Sequence, residues 1–464
     1  MTPDVVFRDV EVEGARTDVL VVDGRIVGIG GDLRPEPSRE LVEVDGEGGA
    51  LLPGLHDHHV HLLALAARRG GVDADGCDSP ASFDATVARA VADGTGWIRV
   101  GGHDERRHGE IDRHRLDALV GDVPVRVQHR TGLAWTLSTA ALERVGPADA
   151  PAGAVVLDGG GDPTGTILRA DDWLASRLGG QPPTVRGVGS ELAAVGLTGV
   201  TDATPSLGSA RRHALLDARR NGDLPQRLVL LGVDDDEELD GLALAGPAKL
   251  LCDEVRGLDP DALAVAITEH HRRGRPVAIH AVTRAENVAA VTALALAGPL
   301  AGDRIEHGSV LPVDLDAFLA GAGVTVVVQP SLVLERGDHH LASVDVDDLP
   351  ILHRIGSLGA AGVPLAIGSD APVTSIDPWR AIRTAVDRTT RSGSIVGAGE
   401  SVTAAAALAM YLADPLAPAG PPRRLGRGAA ADLVLLDAPL ERVLADPHAG
   451  RVRHTWVGGR LVHP

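Results

Sequence analysis

The chain has 464 residues, with 44 basic and 64 acidic side chains and a net charge of −20. This acidic balance and an aromatic fraction of 2% argue against a nucleic-acid surface, which needs clustered cations and stacking rings. Two cysteines are too few for a disulfide framework, and neither a signal peptide nor a membrane-spanning run is visible, so we expect a cytoplasmic protein with no membrane partner.

The basic residues are almost all arginine: Lys249 is the only lysine, and the other 43 of the 44 are arginine. Lysine is ordinarily among the commonest residues of globular proteins. A GC-rich coding sequence would account for the bias towards arginine, and the one lysine would then be an accident. The alternative is that its amine is needed at this position.

Both ends of the chain predict short strands joined by tight turns. In residues 1–50 the Asp23-Gly24 pair predicts a hairpin, and in residues 415–464 the Gly458-Gly459 pair does the same. A different pattern separates the two ends. We therefore expect them to meet in one composite β-sandwich domain.

Between the ends, short apolar runs alternate with helical patterns, as buried parallel strands alternate with helices. Eight such runs lie at 51–61, 198–203, 226–232, 248–251, 276–281, 304–308, 324–330 and 364–370. Eight strand–helix units in series predict an α/β protein with a (β/α)8 TIM barrel over residues 51–414. Residues 62–197 are too many for one connection and contain further strand-like runs, so we expect an insertion subdomain after the first barrel strand.

Residue types that ligate metals lie at the carboxyl ends of these predicted strands. His59 and His61 end the first strand, His280 lies on the fifth, His307 on the sixth, and Asp370 closes the eighth. Barrel enzymes hold their active sites at this face. Residues two apart on a strand point the same way, so the first two histidines would both face the barrel axis and suit Zn²⁺ or a related divalent metal.

Lys249 lies on the fourth predicted strand, in the same series. A deprotonated lysine amine can add CO₂ to form a carbamate, which behaves as a long carboxylate, and burial beside cations favours the neutral amine. Such a carbamate could bridge two metals about 3.5–4 Å apart. Arginine, with a pKa above about 12, could not substitute, which favours a functional explanation of the single lysine.

The segment PGLHDHHVH matches the Pro-Gly-x-x-Asp-x-His-x-His motif of the amidohydrolase superfamily. With AKLLCDE, HRTGLAWTLSTAAL and GSDAPVTSIDPW, the chain resembles the YtcJ-like, amidohydrolase-3 branch, which includes N-substituted formamide deformylases. The resemblance covers nearly the whole chain. Two positions depart from the branch: Glu254 stands where a glycine usually follows Asp253, and Leu133 stands where a histidine is frequent.

The resemblance implies a binuclear metal centre. In that superfamily the matching positions place His59 and His61 on the buried metal, His280 and His307 on the second metal, and carboxylated Lys249 as the bridge. The metals would be two Zn²⁺ ions, with Mn²⁺ or Fe²⁺ as alternatives, because geometry and availability decide the metal.

The same resemblance implies that Asp370 ligates metal and acts as general base and acid on a metal-bridged water. We therefore expect a metal-dependent hydrolase of a non-peptide C–N bond in a small molecule: an amide, a cyclic amide or an N-formyl compound. Whether the chain forms a homo-oligomer stays open at this point.

Two other activities on the same barrel are alternatives. A mononuclear-metal deaminase usually has a glutamate three residues after the histidine of the fifth strand, whereas Thr283 stands three residues after His280 and the first acidic residue is Glu286. A non-hydrolytic isomerase or lyase would use the same ligands and is not excluded by them.

Three further residues are expected to contact the substrate. His129 and Arg130 end a strand-like run of the predicted insertion, and Arg336 follows the seventh predicted strand, in a loop that could cover the site.

Overall fold

The computed structural model describes residues 3–31, 33, 40–93, 96–178, 182–234, 239–254 and 257–464. The chain divides into two compact units. Unit 1 comprises Met1–Leu62 and Val185–Pro464, and unit 2 comprises Leu63–Thr184. No helix among the described residues is both long and apolar enough to cross a membrane.

Unit 1 opens with strands β1 (Asp4–Val12), β2 (Ala15–Val22), β3 (Arg25–Gly30), β4 (Leu41–Asp45), β5 (Leu51–Pro53) and β6 (Leu55–Val60). The first four form one sheet in the order β3-β2-β1-β4. Strand β1 pairs antiparallel with β2 and parallel with β4. Strand β1 is buried at its first four residues and again at Val10 and Val12, so most of its length packs in a core.

Unit 2 follows, with α1 (Leu62–Arg69) at its start and then β7 (Val72–Asp73), α2 (Pro80–Asp93), β8 (Ile98–His103), α3 (Glu105–His108), α4 (Arg113–Val120), β9 (Val125–His129), β10 (Ala134–Leu137), α5 (Thr139–Val145), β11 (Val155–Leu157), β12 (Pro163–Leu168) and α6 (Asp171–Leu178). Its strands form a sheet in the order β11-β12-β10-β9-β8-β7. Two hydrophobic clusters, one around Phe83 and Val100 and the other around Trp135 and Leu142, form its core.

Unit 1 then resumes with alternating strands and helices: α7 (Val188–Ala194), β13 (Leu197–Asp202), α8 (Gly208–Asn221), β14 (Arg227–Leu230), β15 (Leu244–Ala245), β16 (Ala248–Leu251), α9 (Pro260–Arg272), β17 (Val277–Ala281), α10 (Arg284–Ala297), β18 (Arg304–His307), α11 (Asp316–Ala322), β19 (Thr325–Val328), α12 (Ser331–Ser343), α13 (Gly356–Ala360), β20 (Leu365–Ile367), α14 (Pro378–Asp387) and α15 (Ala404–Leu412). It closes with β21 (Leu433–Leu436), α16 (Leu440–Ala445), β22 (Val452–Val457) and β23 (Arg460–His463).

The middle strands of unit 1 are all parallel, as their unbroken apolar runs predict. They form two sheets, in the orders β15-β14-β13-β6 and β16-β17-β18-β19-β20. A parallel bridge between Val60 and Ala371 joins the end of β6 to the segment after β20, and Asp370 N donates to His59 O at 2.7 Å. The stretch 244–251 belongs to both sheets, because β15 pairs with β14 and β16 pairs with β17. The described chain is thus an α/β protein.

The first predicted strand, 51–61, is two strands in the structure. Residues 51–53 pair with β21 in the sheet β23-β22-β21-β5, whereas residues 55–60 pair with β13. Gly54 makes the change of sheet: a Cβ there would lie 2.1 Å from the side chain of Thr198, so no larger residue fits.

The strands from the two chain ends share one hydrophobic cluster. Phe7 and Val19 from the first sheet pack in it with Leu433 and Trp456 from the second. The rings of Phe7 and Trp456 meet edge to face, with centroids 4.7 Å apart.

Candidate metal centre

Three residues that could hold a metal ion converge where β6 meets the segment after β20. The ligand atoms of His59, His61 and Asp370 all lie within 4.8 Å of one another. The Nε2 atoms of His59 and His61 lie 3.4 Å and 3.2 Å from Asp370 Oδ1. Two imidazoles and a carboxylate are ligands that Zn²⁺ and related metals accept.

The backbone brings these residues together through close packing of two strand ends. A Cβ on Gly368 would lie 2.6 Å from His59 N, so only glycine lets these two backbone segments approach so closely. Asp57 Oδ1 accepts hydrogen bonds from His59 N at 3.0 Å and from Ser369 N at 2.9 Å. Asp57 thereby ties His59 to the turn that carries Asp370.

Two more predicted ligands, His280 and His307, stand at the carboxyl ends of β17 and β18. The ring centroid of His307 lies 4.6 Å from that of His280 and 4.8 Å from that of His59. His307 and Asp370 have φ angles of 77° and 56°, a left-handed conformation that is uncommon outside glycine and that clusters at functional sites.

Lys249 lies on β16, beside β17, with Lys249 and Ala278 in register. Its Nζ is buried and has no hydrogen-bond partner among the described residues. Burial lowers the pKa of the amine to about 8, and the charges of Glu306, Arg304 and Asp370 act on it as well. A buried amine whose pKa is lowered towards neutral pH, and which has no hydrogen-bond partner in the described part of the chain, fits the chemistry of a carbamate or a metal-bridging group.

The ionisation states also suit metal binding. Burial, together with the charge of Lys249, lowers the pKa of His59 to about 3, and burial lowers the pKa of His280 and His307. Burial alone would raise the pKa of Asp370, but its hydrogen bond to His61 and the charges of the neighbouring histidines hold it below its usual range. Neutral imidazoles and an ionised carboxylate are the metal-binding forms of these groups.

The sequence analysis missed two residues that hold the histidines in place. Glu306, fully buried, contacts His59 Nδ1 through Oε2 and Arg304 Nε through Oε1. Gln329 Oε1 lies 3.0 Å from His307 Nδ1. Strand alternation predicts that Glu306 and His307 point to opposite faces, and the positive φ of His307 breaks that alternation. The signal in the sequence was a charged pair, Arg304 and Glu306, in one of the strands predicted to be buried.

The predicted substrate contacts lie in different units. Arg336 is in unit 1, on helix α12, so its expected position in a loop is wrong; its Nη2 donates to Val373 O at 3.3 Å. His129 and Arg130 belong to unit 2. There His129 Nε2 lies 2.8 Å from Glu105 Oε2, and Arg130 Nε lies 3.2 Å from Asp104 Oδ2.

An α/β fold with histidines and an aspartate gathered at the ends of parallel strands is an arrangement that could hold a metal ion. The model of the Amidohydrolase family Amidohydro_3 matches residues 42–463, and the chain belongs to this family. The predicted resemblance to the amidohydrolase-3 branch is confirmed.

Among curated relatives, the chain is 26% identical over 516 residues to the "Putative amidohydrolase YtcJ" of Bacillus subtilis, covering 97% of both chains. It is 26% identical over 528 residues to the N-substituted formamide deformylase of Arthrobacter pascens, covering 96% of this chain and 94% of that one. Two solved structures share the fold. An uncharacterized metal-dependent hydrolase from Pyrococcus horikoshii has a TM-score of 0.75 at 19% identity, covering 96% of this chain and 100% of that one. N-isopropylammelide isopropylaminohydrolase from Burkholderia multivorans has a TM-score of 0.53 at 18% identity, covering 99% and 98%.

Proposed function

We propose that this protein is a metal-dependent hydrolase of a non-peptide C–N bond in a small-molecule amide, cyclic amide or N-formyl compound. The observation that carries the proposal is the convergence of His59, His61 and Asp370 within 4.8 Å. The ring of His307 lies 4.8 Å from that of His59 and 4.6 Å from that of His280, and Lys249 lies on the strand next to that of His280. Membership of the family and the named activity of the formamide deformylase support it.

In this proposal the metal site has six ligands, and Lys249 carries a carbamate formed from CO₂. The ligands are His59, His61, Lys249, His280, His307 and Asp370. Two Zn²⁺ ions, with Mn²⁺ or Fe²⁺ as alternatives, suit this donor set of imidazole nitrogens and carboxylate oxygens. When bound, such ions make a water acidic near neutral pH and polarise the carbonyl of the substrate.

Side chains of the protein would then transfer the proton and orient the metal ligands. Asp370 Oδ1, 3.2 Å from His61 Nε2, would accept a proton from the attacking water and return it to the leaving nitrogen. Glu306 would hold His59 through Nδ1 and so aim Nε2 at the centre. Gln329 would do the same for His307.

The wider architecture in the proposal is the (β/α)8 barrel with a composite β-sandwich and an insertion. Three observations support a closed ring of eight strands. The strands β6, β13 and β14 pair in parallel, and the stretch 244–251 pairs with both β14 and β17. The bridge between Val60 and Ala371 joins the end of β6 to the segment after β20. The shared cluster of Phe7 and Trp456 supports the sandwich. His129, Arg130 and Arg336 stay proposed substrate contacts, and the cytoplasmic location stays a prediction.

The test is hydrolysis in ¹⁸O-labelled water. Metal-reconstituted protein is incubated with N-formyl amines, N-acyl amines, cyclic amides and, separately, aminated heterocycles, and the products are analysed by mass spectrometry. We expect hydrolysis to release the free amine and to place one oxygen atom from the labelled water in the acid product. Release of ammonia from an aminated ring would favour a deaminase. Product without solvent oxygen would favour an isomerase or lyase, and either result contradicts the proposal.

A further inference from the structure

A second polar group lies beside the candidate metal centre and has no role in the proposed ligand set. His353 precedes helix α13, and His340 lies on helix α12. His353 Nε2 is 3.0 Å from His340 Nδ1, and the ring centroids are 5.1 Å apart. Arg336 stands one helical turn before His340, on the same side of α12. We call these three residues the His353 group.

The His353 group is tied to the two turns that carry proposed ligands. His353 N donates to Ser309 O at 2.7 Å, two residues after His307. Arg336 Nη2 donates to Val373 O at 3.3 Å, three residues after Asp370. The group therefore stands at the carboxyl ends of β18 and β20, the end of a parallel sheet where ligands bind.

His353 is held rigidly in a strained conformation. Its φ is 51°, and only 8% of the residue is exposed. The next residue, Arg354, makes two hydrogen bonds to Asp316, at 2.8 Å and 2.6 Å, and the preceding Leu352 bridges Val310. Left-handed residues of this kind persist only where the surroundings enforce them, and they cluster at binding and catalytic sites. The ring is thus pre-organised.

The surroundings of His353 favour negative charge. Arg388 Nη2 donates to its carbonyl oxygen at 2.8 Å. Burial, followed by the charges of His340, Arg388 and His307, lowers the pKa of His353 well below its usual value, so the ring is neutral.

The carboxylates of the adjoining segments already have partners. Asp316 binds Arg354, Glu400 accepts from the N–H groups of Ile355 and Ser357, and Glu335 accepts from Ser375 N at 3.0 Å. An anion from outside would meet the imidazole and guanidinium groups of the His353 group.

We propose that the His353 group binds a carboxylate of the substrate, so that the enzyme selects N-acylated or N-formylated amino acids over uncharged amides. This inference rests on the proposed function and names its substrate class. His353 and His340 are substrate-binding residues in it and take no part in the proton transfer.

The experiment compares N-formylglycine with N-formylglycinamide by formate release from the metal-loaded enzyme. The acid should exceed the amide in kcat/KM by roughly ten-fold, since hydrogen bonds to a charged group are stronger than those to a neutral one. His353→Asn keeps a residue type that tolerates positive φ, and His340→Gln changes a partly exposed helix position. Each should reduce the preference roughly ten-fold, mainly through KM. His213→Asn, at an exposed position of α8, should keep it.

A binding measurement separates this inference from the proposed function. N-methanesulfonylglycine and N-methanesulfonylglycinamide carry a sulfonamide in place of the hydrolysable N-formyl group, and their affinities are compared by calorimetry. Tighter binding of the acid in the wild type, lost in both variants, supports the inference even if no formate is released, in which case the proposed function fails. Equal binding, or a preference that survives both substitutions, overturns the inference even if hydrolysis proceeds.

Discussion

Glu306 contacts Nδ1 of His59, and this contact leaves Nε2 of the same ring facing Asp370, 3.4 Å from its Oδ1. Burial alone would raise the pKa of Glu306, but the charges of Arg304 and Lys249 hold it well below its usual range. Glu306 is therefore an ionised carboxylate that fixes both the tautomer and the direction of a proposed metal ligand.

Replacing Glu306 with Gln should weaken metal binding about 10- to 100-fold, because the amide orients His59 less firmly and makes the ring a poorer donor. Competition with a chromogenic chelator measures the affinity. Glu105→Gln is the matched control, since Glu105 also lies against a histidine, 2.8 Å from His129 Nε2, in the other unit. Equal metal affinity in Glu306→Gln and the control would refute this role.

Replacing Lys249 with Ala should remove the bridging group and lower both metal content and activity. Because a carbamate behaves as a carboxylate, acetate or propionate added to Lys249→Ala should restore part of both, and chloride at the same ionic strength should not. Lys249→Arg cannot be rescued, since guanidinium does not form a carbamate at neutral pH. Metal analysis and hydrolysis rates give the readout. A Lys249→Arg protein with two metals and full activity would make the lysine an accident of composition.

Asp370→Asn should lower kcat by about 10²- to 10⁴-fold while metal remains bound through the histidines, because an amide cannot accept the proton of water. Elemental analysis of the purified variant accompanies the rate measurement. Asp446→Asn, at an exposed position, should match the wild type in both. Full turnover in Asp370→Asn would remove this residue from the proton transfer.

Acid should destabilise unit 2 through His103. Burial lowers the pKa of this histidine to about 4, and 4% of the residue is exposed. The folded state therefore binds the proton less readily than the unfolded chain, with its ordinary pKa of about 6.5. The contribution of neutral His103 to the free energy of unfolding is fully present above a pH of about 6.5. It is lost as the pH falls towards 4, and the loss is at most about 3 kcal/mol.

Thermal unfolding between pH 7.5 and pH 5 measures this loss. His103→Gln should show a smaller fall in Tm over that interval than the wild type. His213→Gln, at an exposed helix position, should show the wild-type fall. The same pH dependence in all three proteins would show that His103 does not contribute.

Much of the candidate site could be predicted from local patterns. The two-residue spacing of His59 and His61 puts both rings on one side of a strand, because strand alternation depends only on local backbone conformation. Unbroken apolar runs identified the parallel strands, because strands covered on both faces carry few polar residues. Those runs end at His280, His307 and Asp370, which fixes the end of the sheet where these side chains lie.

Other features depended on contacts between distant segments. Glu306 and His307 share one side of the site because His307 adopts a φ of 77°, which breaks the strand alternation. Gly54 divides the predicted first strand because Thr198 lies against it. Arg336 lies on a helix where a loop was expected. A local pattern contains no information on such packing.

The sequence by itself determined which residue types stand at the strand ends and that a single lysine stands among them, because strand periodicity and composition are local properties. The tertiary structure decided which nitrogen of His59 faces Asp370 and that His353 lies beside the same centre. It also decided that Lys249 Nζ is buried with no hydrogen-bond partner in the described part of the chain. These follow from contacts across hundreds of residues, where burial and neighbouring charges set ionisation and direction.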